Sequence, residues 1–125
     1  MALEKTLMTE TGLQASYWKI IDCKINLLTS AVDGRIGLYK DRDFRLSNPN
    51  GTAEIRTFGF QDETMFPIVV GMTVAQFIGL IYEKIRTQKI GEHKMDESGN
   101  LLYEENGEPV INNTNFFQDA INIIE

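Results

Sequence analysis

The sequence predicts an α+β domain: a twisted antiparallel β-sheet of about three to five strands with one main helix packed on it, plus a β-ribbon and a short C-terminal helix. Three observations lead there. Residues 21–27 and 54–60 alternate apolar and polar side chains, the pattern of strands. Residues 73–89 repeat their apolar side chains at helical spacing. Clusters of Asp, Asn, Gly and Pro punctuate the chain around these runs. The resulting parts are an N-terminal arm (1–14), an α+β core (15–91), an acidic turn-rich ribbon (92–113) and a C-terminal helix (114–125).

The arm is polar-leaning, with Leu3, Leu7, Met8 and Leu13 as spaced anchors, and is expected to gain order by lying on its own domain or a neighbour. In SYWKIIDCKINLLTS, Ile21, Cys23, Ile25 and Leu27 share one parity against Asp22, Lys24 and Asn26, which predicts a half-buried strand. Tyr17 and Trp18 are adjacent and point to opposite faces, so one belongs to the core and at most one is exposed. Asp33-Gly34 is the expected hairpin corner, with RIGLYK as the return strand, Ile36 and Leu38 on one face. Asn48-Pro49-Asn50-Gly51 marks 41–52 as a surface loop. AEIRTFGF is a third strand; MFPIVV is a fourth strand or an extended connection, which Pro67 pushes towards an edge.

The main helix starts at an N-cap Thr73 and stops before Gly91. Val74, Phe77, Ile78, Ile81 and Ile85 form its apolar stripe, and burying them contributes about 8–15 kcal/mol before entropy is subtracted. Next, Asp96-Glu97-Ser98-Gly99-Asn100 is echoed eight positions later by Glu104-Glu105-Asn106-Gly107-Glu108. A calcium loop starting at Asp96 needs glycine in sixth place and glutamate in twelfth, but Leu101 and Gly107 stand there. The doublet is therefore two turns, cornered at Ser98-Gly99 and Asn106-Gly107, with LLYE and PVINN as ribbon legs. In TNFFQDAINIIE, Thr114 or Asn115 caps a terminal helix whose side of Phe116, Phe117, Ala120, Ile121 and Ile124 packs on the sheet or docks another chain.

The chain has 125 residues, one domain's worth, and a net charge of −6 that repels phosphates. Arg35, Lys40, Arg42 and Arg45 cluster, but Asp33, Asp41 and Asp43 among them cancel the field, so nucleic-acid binding is not expected. No run approaches the ~18 apolar residues of a membrane span, and residues 1–14 lack a signal-peptide pattern. The lone Cys23 reads as a small buried hydrophobe in a reducing compartment. His93, the one imidazole, sits among charged residues, which suits an exposed loop better than a catalytic base. Phosphate-loop, dinucleotide and zinc-protease motifs are missing, so no catalytic, cofactor or metal residue is assigned.

The order GLQASYWKI, VDGRIGLYK, RTFGF, then a helix and a short acidic-leaning end, resembles the small virion structural proteins of tailed bacteriophages and prophages, from the tail and baseplate region. The likeness covers about residues 12–60 and, more loosely, the helix; it is one of composition, and 41–52 and 92–113 depart from it. It implies assembly through surfaces, without cofactor or catalytic residues, with other virion structural proteins as partners in a homo-oligomer or hetero-assembly. The implied location is the virion, after synthesis in the host cytoplasm. The docking residues expected from the chain are Leu3, Leu7, Trp18, Phe116, Phe117, Ile121 and Ile124. A carbohydrate- or receptor-binding module and a small inhibitor or regulatory protein are the alternatives; the first would use Trp18 for stacking.

Overall fold

Residues 1–10, 12–62 and 72–124 are described by the computed structural model. The chain runs β1 (Ala2–Met8), β2 (Gln14–Asn26), β3 (Ala31–Tyr39), α1 (Arg42–Ser47), β4 (Glu54–Gln61), α2 (Val74–Thr87), β5 (Gly91–His93), β6 (Ile111–Asn113) and β7 (Ile121–Ile123). Five of the strands make an antiparallel sheet in the order β4-β3-β2-β1-β7, and β5 pairs with β6 in a second, small sheet. The molecule is mixed α+β and mostly sheet, as the alternation of residues 21–27 and 54–60 predicts.

Several elements differ from expectation. The N-terminal arm does more than lie on its own domain: β1 is built into the sheet between β2 and β7, with Ala2 and Leu3 fully buried. Lysine, glutamate and threonine hide a period-two strand, ALEKTLM, in which Leu3, Lys5 and Leu7 share the inner face. The hairpin corner lies not at Asp33-Gly34 but at residues 27–30, since Asn26 pairs with Ala31 and Gly34 pairs with Cys23 within the ladder. Gly34 serves another purpose there. A Cβ on it would lie 2.2 Å from the Asp22 carbonyl oxygen, beside the register shift between Ile20 and Asp22, so the close approach at this bulge admits only glycine.

The 41–52 stretch contains a short helix, α1, started by the Asp41 carboxylate, which accepts the Phe44 N–H at 2.7 Å. Tyr39 then donates its hydroxyl to the Pro49 carbonyl at 2.6 Å and ties the following turn back to β3. The fourth-strand expectation, MFPIVV, falls on residues 65–70, outside the described residues.

Helix α2 begins as its sequence predicts. Thr73 and Gln76 form a reciprocal capping box, with bonds of 3.1 and 3.0 Å. Its buried side chains are Phe77, Ile81, Tyr82 and Ile85; Val74 stays 79% exposed in the first turn. Together with Leu3, Trp18, Val32, Ile36 and Leu38 from the sheet they form the main core. On the opposite face, Ala2, Tyr17, Tyr39 and Ile123 form a smaller one. Tyr17 and Trp18 do point to opposite faces, yet both are buried because both faces are covered there.

The C-terminal segment is not a helix. Residues 116–119 form a turn and Ile121–Ile123 join β1 as an edge strand, Ala2 opposite Ile123. The cause lies at Asn115, which is 3% exposed. Its amide donates to the carbonyls of Ile85 at 2.9 Å and Gln88 at 2.6 Å, closing the end of α2, while its Oδ1 accepts the Phe117 N–H at 3.0 Å. That side-chain bond offers the backbone a turn in place of a helix.

The ribbon takes a form that explains its repeat. Three legs meet, bridged at Met95–Leu101 and Tyr103–Pro109, with β5 paired to β6 below them. The Lys94 N–H donates to the Val110 carbonyl (2.7 Å), that of Val110 to Leu102 (3.1 Å) and that of Leu102 to Lys94 (3.0 Å). Residues eight apart thus close a ring. Gly99 and Gly107, at φ of 83° and 84°, turn the chain between legs, where few other residues fit. Asp96 Oδ1 accepts the N–H groups of Ser98 and Asn100, both at 2.9 Å, and Asn106 Oδ1 that of Glu108 at 3.1 Å.

Candidate docking surfaces

The seven residues expected to dock fall into three groups. Leu3, Trp18 and Phe117 are core, at 0%, 0% and 5% exposure, so they are not available as a surface. Trp18 is fixed by its Nε1–H, which donates to the Lys5 carbonyl at 3.0 Å, and by Phe117 edge-on at 5.0 Å. Phe116 and Leu7 are half-buried; two cations lie over the Phe116 ring, Lys5 Nζ 3.9 Å and the Arg56 guanidinium 3.8 Å from its centroid. Only Ile121 and Ile124, at 65% and 88% exposure, face solvent on the β7 edge.

A larger apolar surface lies at the β2–β3 turn. The parity expected to be buried, Ile21 to Leu27, is split by a bulge: Cys23, opposite Gly34, is half-buried against the main core and Ile25 lies opposite buried Val32, whereas Ile21 lies over Gly37 on the other face; Ile21, Ile25 and Leu27 remain 39%, 42% and 79% exposed. Burial nonetheless pushes the Cys23 thiol pKa up, with the Asp33 and Asp22 carboxylates adding to it, so the sulfur stays protonated. The bulge between Ile20 and Asp22 shifts the register by one, so that Cys23 and Ile25 follow Ile20 on the core side. Leu28, at the tip, is 94% exposed.

This tip is braced. Asn26 Oδ1 accepts the N–H groups of Leu28 (3.0 Å) and Thr29 (3.2 Å), and Gln61 at the end of β4 donates to the Thr29 carbonyl at 2.7 Å. Lower down, the Arg35 guanidinium bonds Asp22 at 2.7 Å and holds that carboxyl below the usual carboxylate range. The sequence signal for the tip was the Leu27-Leu28 pair, apolar on consecutive positions after the alternation of Ile21 to Asn26.

At the other end of the sheet is an open cleft of about 720 Å³. Its apolar lining includes Leu7, Met8, Leu13, Phe44 and Ala53; Met8, Leu13 and Phe44 are 62%, 45% and 37% exposed. Glu10, Lys40, Glu54 and Arg56 supply the charged lining, Arg56 Nε lying 3.3 Å from Glu54. On the neighbouring flank, Lys5 pairs with Asp119 at 2.8 Å and lowers the pKa of that carboxyl.

Elsewhere the reactive groups are dispersed. The His93 Nε2 lies 2.7 Å from the Leu102 carbonyl, its ring edge-on to Tyr103. Asp96 is held below the ordinary carboxylate range by the backbone N–H of Asn100 above all. Among the described residues no three His, Cys, Asp or Glu side chains gather as a metal would require, and no helix is long and apolar enough to cross a membrane. No family model, curated protein or solved structure matches the chain.

Proposed function

We propose that the chain is a structural subunit of a tailed-bacteriophage particle, in the tail or baseplate, that works by docking to other proteins and catalyses nothing. The observation that carries the docking part is the β2–β3 tip, where Leu27 and Leu28 are held out at 79% and 94% exposure by a hydrogen-bonded turn. Holding two leucines in water is costly for a lone domain, and contiguous exposed apolar surface marks contact sites. The virion setting is supported by the compositional resemblance over residues 12–60. The sugar-binding alternative has less support, because Trp18, its stacking residue, is buried.

The test is location. Particles released from a host carrying the gene, purified and digested, should yield peptides of this chain in fixed stoichiometry, and deletion of the gene should leave incomplete or non-infective particles. Complete, infective particles without the chain would refute the virion reading.

A further inference from the structure

We infer that copies of this chain bind each other head to tail, the β2–β3 tip of one seated in the end cleft of the next. The two features lie at opposite ends of one sheet. Leu7 pairs with Ala15 and Leu38 with Glu54 at the cleft end; Asn26 pairs with Ala31, and Ala31 with Gln61, at the tip end. Between them β2 runs 13 residues, about 40 Å of extended chain, so a tip cannot reach the cleft of its own molecule.

Size and chemistry match. The cleft, at about 720 Å³, is of the class that encloses a compact apolar group, and Met8, Leu13 and Phe44 offer carbon surface to the two leucines. Charges match as well. Behind the tip the exposed cross-strand pair Lys24 and Asp33 presents one cation and one anion. The cleft carries exposed Glu10 and Lys40, so each can face its opposite. A contact between two different patches on identical chains does not close on itself as a two-fold pair does; it continues into a ring or a filament. This deepens the docking reading and rests on it for biological use, but the contact itself stands on the geometry of the two ends.

The experiment uses the full chain and two double variants at exposed positions. Leu27→Asp with Leu28→Asp removes the tip; Met8→Glu with Leu13→Glu spoils the cleft. Sedimentation velocity on the unaltered chain should show species growing with concentration in the roughly 10–500 μM range appropriate to a small contact. Each double variant should weaken association by roughly tenfold or more per apolar side chain replaced and sediment as a monomer. Mixed one to one, they should form a dimer and nothing larger, since the mixture contains one intact tip facing one intact cleft. A monomeric unaltered chain across that range, or a mixture that stays monomeric while both variants keep the fluorescence of buried Trp18, would overturn the inference. Serine versions of the same substitutions give the same readout if the acidic ones unfold. A chain that is monomeric here yet present in purified particles would overturn this contact and leave the virion reading standing.

Discussion

Replacing Asn115 by alanine should be among the most damaging single changes in the molecule that leaves every apolar contact in place. The side chain makes two good donor bonds, to the carbonyls of Ile85 and Gln88, and accepts the Phe117 N–H; a longer contact of 3.4 Å reaches the Arg86 carbonyl. Alanine leaves carbonyls at the end of α2 and a buried N–H without partners. At about 0.5–1.5 kcal/mol for each of the three good bonds, and more where water cannot replace them, the loss comes to about 2–4 kcal/mol. A domain of this size has about 5–15 kcal/mol in total, so the midpoint of thermal unfolding should fall by roughly 6–20 °C. Urea unfolding followed through Trp18 is the assay: it is the sole tryptophan, and Phe117, two residues from the perturbation, lies against it. Asn115→Asp sharpens the test. It keeps the acceptor for Phe117 but loses both donors and sets a negative charge against the negative end of α2, so it should be worse than alanine. A loss under about 0.5 kcal/mol for the alanine variant, or an aspartate variant more stable than it, would refute the reasoning.

Three further outcomes are expected. Gly34→Ala places a methyl 2.2 Å from the Asp22 carbonyl oxygen, which only backbone movement relieves, and should cost about 2–4 kcal/mol in urea titration; near-neutral behaviour would mean the bulge is pliable. Tyr82→Phe removes the hydroxyl that accepts the Ile20 N–H at 2.7 Å, on the length of β2 beyond its pairing with β1, and should cost about 1–2 kcal/mol with faster exchange of that one amide. Glu83 has its pKa lowered from 4.5, first by the Asn122 amide and then by Arg86. A lowered folded value means the contribution is present above 4.5 and fades as pH falls through the folded pKa, so Glu83→Gln should flatten the acid limb of the stability curve and leave it higher below that window relative to neutral pH. Because the side chain is 45% exposed, solvent screening holds the whole effect under about 1 kcal/mol; an unchanged acid limb would count against the pairing.

The parts legible in the sequence were those where one local signal acts alone. Thr73 announces the start of α2 through its own side chain, and Gly99 and Gly107 announce the ribbon turns through backbone freedom. The parts that were not legible depend on distant partners. The ALEKTLM strand is set by Trp18 and Ile123 on its two sides, neither near it in sequence. The segment after Asn115 has helical periodicity, but the amide of that residue is engaged thirty positions back, at Ile85, and the segment follows it. The same holds for the docking surfaces. Trp18 and Phe117 looked like pegs because aromatic residues suit both interfaces and cores, and only the cover on both faces of the sheet decides between them. The exposed end of β2 escaped notice because alternation tells which side chains share a face and leaves open how far along the strand the rest of the chain covers it, and the bulge at Ile21 breaks the alternation besides.

The triangle of backbone bonds through Lys94, Leu102 and Val110 has a consequence for how the molecule behaves in a crowd. An ordinary hairpin leaves a row of unused amides along each flank, an invitation to any stray strand. Where each leg gives to one neighbour and takes from the other, that invitation is withdrawn at this level, and what the ribbon offers outward is acidic turns that keep like surfaces apart. Promiscuous strand-to-strand sticking is thereby discouraged along one flank of the protein, leaving recognition to side chains whose identity can be selected.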